Sequence, residues 1–293
     1  MAPRGTVLIT GCSDGGIGSA LAIAFQARDF HVFATLRNPT KASKLSKLPN
    51  VTVLMLDITN TSHIDVAVQA VQGETGAALN YLINNAGRNH FMPLLDENIN
   101  AAKRIFDTNV WGTLAVTQAF APLLIKAQGT LVNITSISGY LNIPWMGMPW
   151  PDLCQGDWTG YANMVADITG SYAASKRSME IMNETLRLEL APFKVTVLSV
   201  VTGAVQTNGL AYFDDFTLPS DSLFKPIEDT IAARAHGSGS PKRMDVAEYA
   251  NKVVSTIPKG SSGKVWPGPV AGFIRFASTF FPTWLMVRCK DSY

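Results

Sequence analysis

The stretch that most constrains the fold of this chain lies at its start. Residues 6–10 form a short run of apolar and β-branched side chains, residues 11–18 are rich in glycine, and residues 19–25 continue with a helical pattern. In such a strand–turn–helix unit, backbone N–H groups and the positive end of a helix meet where a pyrophosphate can bind. The unit therefore predicts a parallel α/β sheet with a nucleotide at the carboxyl end of its first strand.

The rest of the chain repeats the alternation of strands and helices. Further strands are predicted at residues 31–36, 51–57, 81–87, 129–135, 194–201 and 263–266. Helical patterns are found at residues 60–72 and at residues 96–127, with a division of the longer one near Pro122. This alternation predicts an α/β fold with one Rossmann-type, doubly wound parallel sheet of about seven strands and helices on both faces. Residues 1–265 would form this domain, and residues 266–293 an apolar tail.

Composition narrows the range of functions. The 293 residues carry a net charge of only +2, which gives no electrostatic footprint for nucleic acid. Cys12, Cys154 and Cys289 are far apart and follow no metal-binding or disulfide pattern, so we expect no metal site and a reducing compartment. Because no charged segment precedes a cleavable apolar stretch, we expect the bulk of the chain to be cytoplasmic.

Residues at the ends of the first two predicted strands are candidates for cofactor contacts. Arg37 follows the second strand, where an acidic residue would bind a ribose 2′-hydroxyl and an arginine accommodates a 2′-phosphate. Residues 35–38 contain no acid, which favours NADPH/NADP+ over NADH, although a solvated basic loop is the alternative. The candidates in the glycine loop are Gly11, Ser13, Asp14, Gly16, Ile17 and Gly18.

The third and fourth predicted strands also end in side chains that can meet a nucleotide. Asp57 stands at the end of the third strand, where it can meet the adenine. The fourth strand runs into Asn-Asn-Ala-Gly at residues 84–87. Asparagines at a strand end can link neighbouring strands, and the small pair after them leaves room for a flat ligand. Asn85, Ala86 and Gly87 are therefore predicted cofactor contacts.

A tyrosine and a lysine are the candidates for proton transfer. Tyr172 and Lys176 are four residues apart, so on a helix they lie on one face, one turn from each other. An ammonium held close to a phenol would lower the pKa of the tyrosine from about 10 and make it a usable general acid. Asn109 is a poor helix former in mid-helix, where it is either a tolerated polar residue or the site of a local break, and Ser136 follows the fifth strand.

Taken together over residues 4–205, these motifs resemble the classical short-chain dehydrogenase/reductase family. The resemblance implies that Tyr172 is the acid/base, that Ser136 orients the substrate carbonyl, that Lys176 binds the nicotinamide ribose, and that Asn109 holds a proton-relay water. The opening residues and residues 33–39 are most similar to the fungal branch of 1-acyldihydroxyacetone-phosphate reductases. That branch implies NADPH, an apolar carbonyl substrate in lipid synthesis or a secondary-metabolite ketone, and contact with the endoplasmic reticulum or lipid droplets. The family is commonly homo-oligomeric.

Two short departures from the family pattern concern the cofactor site. The glycine loop has four residues between Gly11 and Gly16, one more than usual, with Gly15 as the spare residue. After the sixth strand, the family's Pro-Gly is replaced by Thr202-Gly203, which leaves that turn less constrained. The resemblance still implies that the carboxamide of the nicotinamide is bound by residues 204–207, with Val205 and Thr207 as the contacts.

The third departure is larger. Ser136 and Tyr172 are 36 positions apart, whereas about 13 is usual in the family because both must reach one carbonyl oxygen. The surplus corresponds to residues 148–170, which show no clear period. It is either a flap that turns Trp150, Trp158 and Tyr161 toward an apolar substrate or an in-frame translated intron. If the surplus separates Ser136 from Tyr172, the chain would bind a nucleotide with impaired or no turnover.

The predicted lid and the apolar tail each allow more than one interpretation. Residues 204–243 correspond to the mobile substrate lid of the family, with Leu210, Tyr212 and Phe213 as apolar candidates and Phe216 as a candidate or a packing residue. The apolar tail is interrupted by charged residues and proline, so it fits an interfacial helix with Trp284 and Arg288 at the boundary. Docking against the domain or against a second copy is the alternative.

Overall fold

A computed structural model of the chain describes residues 3–140, 170–208, 216–236, 242–257 and 262–281. Its centre is a seven-stranded sheet in the order β3-β2-β1-β4-β5-β6-β7, and every neighbouring pair is parallel. The predicted doubly wound sheet is therefore confirmed. The strands are β1 Gly5–Thr10, β2 Phe30–Leu36, β3 Val51–Met55, β4 Tyr81–Asn84, β5 Thr130–Ser136, β6 Thr196–Thr202 and β7 Gly263–Val265.

Helices cover both faces of the sheet. Those in the described residues are α1 Ile17–Gln26, α2 Thr61–Thr75, α3 Ile99–Phe106, α4 Thr113–Ala127, α5 Gly170–Leu190, α6 Glu228–Ala235, α7 Val246–Thr256 and α8 Ala271–Phe280. Side chains cap several of them: the Asn60 carbonyl accepts from His63 N at the start of α2, and the Asp245 carboxylate accepts from two backbone amides at the start of α7. These caps fix where the helices begin.

Alternate residues of the central strands enter two apolar layers. On β1, Val7 and Ile9 face the layer that α1 and α7 cover, whereas Leu8 faces the layer that α2, α4 and α5 cover. All three side chains are fully buried. Successive side chains of a strand point to opposite faces, so a strand with helices on both sides is apolar throughout. This explains why the first predicted strand has no alternation of apolar and polar residues.

The long helical stretch is interrupted, but at a different place from the one expected. A π-helical segment, Asp107–Gly112, separates α3 from α4, while Pro122 lies inside α4. The prediction of a division near Pro122 is wrong, and of the two interpretations of Asn109 the local break is confirmed. The combined run Ile99–Ala127 is long and apolar enough to cross a membrane by length and composition. Phe120 and Leu124 are nevertheless fully buried in the α4 layer, as in the core helix of a globular domain.

Some predictions fall outside the described residues. These are the surplus segment apart from Gly170, the lid candidates Leu210, Tyr212 and Phe213, and the tail residues Trp284 and Arg288. Phe216 is described, and its ring packs edge-on against Phe91 with 5.7 Å between centroids. It therefore takes part in packing. The division of the chain into domain, lid and tail stays a prediction.

Candidate active site

The glycine loop and the end of β4 are joined at the carboxyl edge of the sheet. Asn85 N and Ala86 N both donate to Thr10 Oγ1, at 3.0 and 2.9 Å. The Asn85 side chain donates to the backbone oxygens of Thr10, at 2.8 Å, and Gly11, at 3.1 Å. These bonds hold the predicted cofactor contacts of β1 and β4 next to each other. The residue type at position 85 matters because only a side-chain amide can reach both carbonyls in this way.

Two glycines of the loop sit where no side chain fits. Gly11 has a φ of +77°, and a Cβ there would lie 2.8 Å from Ala86 Cα. A Cβ at Gly18, on the first turn of α1, would lie 2.4 Å from the Gly11 oxygen. Because these contacts are with backbone atoms, which cannot turn aside, α1 can approach the loop this closely only with glycine. Gly16 caps α1, Ile17 is its first residue, and Ser13 O accepts from Gly16 N at 3.1 Å.

The extra residue of the loop brings in a contact that the sequence did not suggest. Gly15 has a φ of +76°, and a Cβ there would lie 2.2 Å from the side-chain nitrogen of Asn208, in the segment after β6. The neighbouring Asp14 is tied to the segment after β2: its Oδ2 accepts from Ser43 N and Oγ at 2.9 and 2.7 Å, and its backbone N–H donates to Lys41 O. The Ser43 hydroxyl bond is the main reason that the pKa of Asp14 lies below its usual value. Asp14 thus braces the loop.

Arg37 and Asp57 face each other at the ends of β2 and β3. Arg37 is exposed directly after β2. Burial alone would raise the pKa of Asp57, but hydrogen bonds from Thr59 and the charges of Arg37 and His63 outweigh it and hold the pKa below its usual value. Asp57 Oδ1 accepts from Thr59 Oγ1 at 2.7 Å. The structure therefore brings the exposed Arg37 close enough to Asp57 for its charge to help keep that carboxylate ionised.

Ser136 and Tyr172 are together despite the 36 positions between them. The Ser136 hydroxyl lies close enough to the Tyr172 phenol to lower the pKa of the phenol in part. Ser136 Oγ also contacts Ser138 Oγ at 2.9 Å and accepts from Ser138 N at 3.2 Å, which fixes the hydroxyl at the end of β5. The surplus segment therefore does not separate the two predicted catalytic hydroxyls.

The expected effect of Lys176 on the tyrosine is not found. Burial raises the pKa of Tyr172 to about 12, and only the nearby Ser136 hydroxyl lowers it in part. The Lys176 ammonium lies over the face of the Tyr172 ring, 5.7 Å from its centroid, and donates to the Ile134 carbonyl at 3.2 Å. The prediction of a lowered pKa is wrong here because desolvation of the phenolate outweighs a cation that does not reach the phenol oxygen.

Lys176 itself is the strongly perturbed base of the site. Its side chain is buried, and desolvation lowers its pKa to about 8, while the negative charge of Glu180 acts in the opposite direction. A Cβ at Gly87 would lie 3.6 Å from Lys176 Nζ and 3.2 Å from Asn109 Oδ1. A methyl group at position 87 would therefore contact both the lysine and the asparagine, so both side chains pack closely around Gly87.

Asn109 holds the loop after β4 through every polar atom of its side chain. Its Oδ1 accepts from Arg88 N at 2.8 Å, and its Nδ2 donates to Arg88 O and to Ser175 Oγ, each at 3.0 Å. Ser175 Oγ in turn donates to Tyr172 O at 2.7 Å. Ser175 was missed in the sequence, although a hydroxyl on the buried side of a helix, next to the lysine, signals a hydrogen-bonded role.

The start of α5 is fastened by a second set of contacts that the sequence did not predict. Ser171 Oγ donates to Glu97 Oε2 at 2.7 Å, and His90 Nε2 lies 2.8 Å from Glu97 Oε1. On the other side, Gly139 lies so close to α5 that a Cβ there would be 3.0 Å from Arg177 N. Glu97 thus holds the first turn of α5, and Gly139 packs against the same helix, so the residues on both sides of positions 141–169 are fixed around Tyr172.

The turn after β6 is more constrained than expected. Thr202 is buried, and its hydroxyl lies 2.6 Å from the hydroxyl of Tyr249 on α7. Val205 forms a parallel bridge with Met244 and is buried, and Thr207 is partly buried two residues later. The interpretation of Thr202 as a loose position is wrong, because a side-chain hydrogen bond replaces the rigidity of the family's proline.

The described residues suit a dinucleotide. The glycine loop presents a turn without side chains before a helix N-terminus, which is the cradle for a pyrophosphate. Oδ1 of Asp14 is buried without a hydrogen-bond partner among the described residues, so it can accept from a nucleotide hydroxyl. Among the same residues, no three His, Cys, Asp or Glu side chains are grouped to hold a metal ion.

Comparison with known proteins agrees with this geometry. The short chain dehydrogenase family profile matches residues 5–148, which end at the first residue of the surplus segment. The short-chain dehydrogenase PC-15 of Penicillium crustosum is 42% identical over 282 residues, with 96% of this chain and 95% of that protein covered. The short-chain dehydrogenase ptmH of Penicillium ochrochloron has the same identity and coverage.

Solved structures give the same result. A short chain dehydrogenase from Burkholderia cenocepacia, crystallised in complex with NADP, is 25% identical and superposes with a TM-score of 0.71 over 97% of both chains. A short-chain dehydrogenase from Streptomyces avermitilis is 23% identical and has the same fold, with a TM-score of 0.74 over 97% of this chain and 98% of that one. The chain belongs to the classical short-chain dehydrogenase/reductase family, and its fungal relatives share nearly its whole length. It is an oxidoreductase of the family that uses nicotinamide cofactors.

Proposed function

We propose that this protein is an NADPH-dependent reductase that converts a carbonyl group of an apolar substrate to an alcohol. The observation that carries the proposal is that Ser136 and Tyr172 lie together beside a buried Lys176, at the carboxyl edge of the sheet. NADPH, when bound, would supply a hydride to the carbonyl carbon. The glycine loop would hold its pyrophosphate, Arg37 its 2′-phosphate, and the segment with Val205 and Thr207 its carboxamide.

The side chains of the site supply the proton. The raised pKa of Tyr172 keeps its phenol protonated at physiological pH, as a proton donor requires. Ser136, whose hydroxyl lies near the same phenol, can orient the substrate oxygen next to Tyr172. Lys176 has a pKa of about 8 and changes its protonation near neutral pH, so it can return a proton toward Tyr172 after turnover. Asn109 holds the backbone around this relay in place.

The apolar substrate class is proposed from the resemblance to the fungal reductases, and one buried apolar cluster joins the predicted lid to the loop after β4. Phe91 follows Gly87 by four residues and packs with Leu218, Ile231 and Phe216 in a separate apolar cluster of the predicted lid. An acyl-dihydroxyacetone phosphate and a secondary-metabolite ketone are the two candidate substrates. The alternative, a nucleotide-binding protein without turnover, requires Ser136 and Tyr172 to be apart, and the nearness of the Ser136 hydroxyl to the Tyr172 phenol speaks against it.

The test is NADPH oxidation, followed by absorbance, with 1-palmitoyl-dihydroxyacetone phosphate, 2-decanone and acetophenone. We would run it on the full chain and on one that lacks residues 148–170. Turnover by the shortened chain alone would identify the segment as foreign, and turnover by the full chain alone would identify it as a working flap. A transcript that is continuous across this junction would rule out the intron. Absence of NADPH oxidation with every ketone in both chains would contradict the proposed function.

We further propose that the tail contacts a lipid surface. On α8, Ile274 and Ala277 are buried against the domain, while Phe276 and Phe280 are 52% and 69% exposed with their rings 5.0 Å apart. Exposed neighbouring aromatic rings on a short amphipathic helix are typical of an interfacial contact. Co-flotation of the full chain with phosphatidylcholine–phosphatidylserine vesicles should therefore fall in a variant with Phe276→Ser and Phe280→Ser. Leu223→Ser, an equally exposed apolar side chain elsewhere, is the control; an unchanged flotation of the double variant would contradict the proposal.

A further inference from the structure

A buried carboxylate lies behind the lysine of the site. Glu180 follows Lys176 by four residues and Tyr172 by eight on α5, so the three side chains lie along one face of the helix. The Glu180 side chain is only 1% exposed. A carboxylate this deeply buried is destabilising unless its oxygens are bound. Its presence next to the reacting groups therefore calls for an explanation beyond packing.

Both carboxylate oxygens of Glu180 are bound. Oε1 accepts from Ser199 Oγ at 2.6 Å and from Thr135 Oγ1. Oε2 accepts from the Tyr140 hydroxyl at 2.8 Å and lies 3.9 Å from the Lys264 ammonium. Each of these groups can donate a hydrogen bond, which is the set that an ionised carboxylate needs.

These partners belong to the strands that surround the site. Thr135 is on β5, directly before Ser136, Ser199 is on β6, and Lys264 is on β7. Tyr140 is on the short 3-10 turn after β5. One carboxylate on α5 thus bonds to the strand that ends in the predicted substrate-orienting serine and to the strands beside it. A displacement of α5 relative to β5 would break these bonds.

The same carboxylate acts on Lys176 through its charge. The ammonium is buried, and its pKa of about 8 would be lower still without the negative charge of Glu180. The other titratable or charged groups around the pair are Tyr172 and Glu184 on α5, Tyr140 with Arg177 over its ring, and Lys264 on β7. From the loop after β4 and the π-helical segment, Gly87 and Asn109 lie near the lysine, and neither titrates. Glu180 is the buried anion whose charge acts on Lys176.

We propose that Glu180 is a positioning residue for this reaction, which holds α5 against the strand that carries Ser136 and keeps the Lys176 ammonium charged. It acts through Lys176 and touches neither substrate nor cofactor. The inference rests on the proposed function, since it assigns a role relative to the proton relay. It predicts an effect on the pH dependence of the relay that a purely structural residue would not have.

The experiment compares Glu180→Gln with Glu184→Gln, which removes a charge from the exposed side of the same helix, one turn on. The kcat of each variant is measured from about pH 6 to pH 9.5 with the best ketone of the panel. For Glu180→Gln we expect the basic limb of the kcat profile to shift to lower pH by roughly one to two units. A shift of this size is the Coulomb effect of a charge one helical turn away. At about pH 9, kcat should then be at least about tenfold below that of the wild type, and at about pH 6 within about twofold. Glu184→Gln should keep the wild-type profile.

A loss of activity by Glu180→Gln that is equal at every pH, or an unchanged profile, would overturn the proposal. If this variant does not fold, Ser199→Ala and Tyr140→Phe replace it, because they keep the charge and release the anchors of the carboxylate. Each should then lower kcat with little change in the NADPH dissociation constant, and an unchanged kcat in both would refute the positioning role.

A direct titration separates this inference from the proposed function. Lysine labelled with 13C at Cε is titrated by NMR in the wild type and in Glu180→Gln, with Lys176→Arg for assignment. We expect the Lys176 signal to titrate at lower pH in Glu180→Gln. A wild type without turnover would contradict the proposed function alone, while an unmoved Lys176 titration would contradict this inference alone.

Discussion

The two faces of the sheet are held by different interactions, although the same strands build both. On the face under α1 and α7, the buried side chains of β4, β5 and β6 are mostly apolar, such as Ile83, Val132 and Val200, with Thr202, which bonds to Tyr249, at the end of β6. On the face under α5, the neighbouring positions near the carboxyl ends are polar: Asn84, Asn133, Thr135 and Ser199. The change from apolar to polar occurs within one residue along a strand, because successive side chains point to opposite faces.

The polar face forms a connected set of hydrogen bonds. Asn84 donates to Thr117 Oγ1 on α4 at 2.9 Å and to Asn133 Oδ1 at 2.8 Å, and Asn133 donates to Asn183 on α5. An apolar contact persists when a helix shifts slightly along a sheet. The same shift breaks a buried hydrogen bond and leaves its donor and acceptor unpaired, which costs free energy. Hydrogen bonds therefore hold α5 in a fixed position on the face with the reacting groups, whereas the other face is stabilised by the burial of apolar side chains. Four changes test this contrast, in order of decreasing effect.

Tyr172→Phe, on the polar face, should have the largest effect. Removal of a general acid lowers kcat by about 10²–10⁴-fold. The NADPH dissociation constant, measured by fluorescence, should stay within about threefold, because the phenol is needed for the proton transfer. Tyr81→Phe is the matched control, since its ring packs against Phe25 and Phe30 on the apolar face. Full activity of Tyr172→Phe would remove the basis of the assignment.

Lys176→Met should lower turnover by less than Tyr172→Phe does, but raise stability. The folded pKa of Lys176, about 8, is below the ordinary value of 10.5, so the unfolded chain binds more protons between these values. Burial of the ammonium therefore destabilises the wild type fully below pH 8, and this cost disappears as the pH rises toward 10.5. The free energy of unfolding of Lys176→Met should exceed that of the wild type by about 3 kcal/mol at pH 7.

The difference between Lys176→Met and the wild type should become smaller as the pH rises. Urea unfolding at several pH values up to about pH 10 measures this difference. The range ends there because Tyr172, whose pKa is raised in the folded protein, lowers stability only above its unfolded pKa of 10. A constant difference across this range would show that the lysine is not buried as a cation.

Asn133→Leu tests the hydrogen bonds themselves. The change preserves approximate volume but leaves Asn183 without its partner and Asn84 with only Thr117, which should cost about 2 kcal/mol of unfolding free energy. We also expect kcat to fall, because α5 loses a bond to β5. Ile83→Val on the apolar face should cost about 1 kcal/mol and leave kcat unchanged. Equal effects of the two variants on kcat would erase the distinction between the faces.

Arg37→Ser should have the smallest effect of the four changes. Its side chain is exposed, so its charge contributes less to cofactor binding than the buried hydrogen bonds contribute to stability. We expect the dissociation constant of NADPH to rise about tenfold, or about 1.4 kcal/mol, and that of NADH to stay the same. Arg4→Ser, at the amino end of β1, is the control. A parallel loss of both cofactors would show that Arg37 does not contact the 2′-phosphate.

The sequence predicted those parts of the molecule that depend on local pattern. The β1 strand, the glycine loop and the helical pattern of α2 were all recognised, because periodicity and φ preferences act within a few residues. The helical spacing of Tyr172 and Lys176 was recognised for the same reason. Predictions that depended on distant atoms were less successful. The pKa of Tyr172 was expected to be lowered, and Thr202 was expected to be loose.

What the sequence determined by itself is the order of strands and helices, the family, and the residue types available for chemistry. Only the tertiary structure decided which of them meet: that Ser136 reaches Tyr172 across 36 positions, that Glu97 fastens Ser171, and that Glu180 stands behind Lys176. The physical reason is that hydrogen bonding and desolvation depend on distances between atoms that folding brings together. Spacing along a helix singles out Glu180, but only the neighbouring strands make it a buried, fully bound carboxylate.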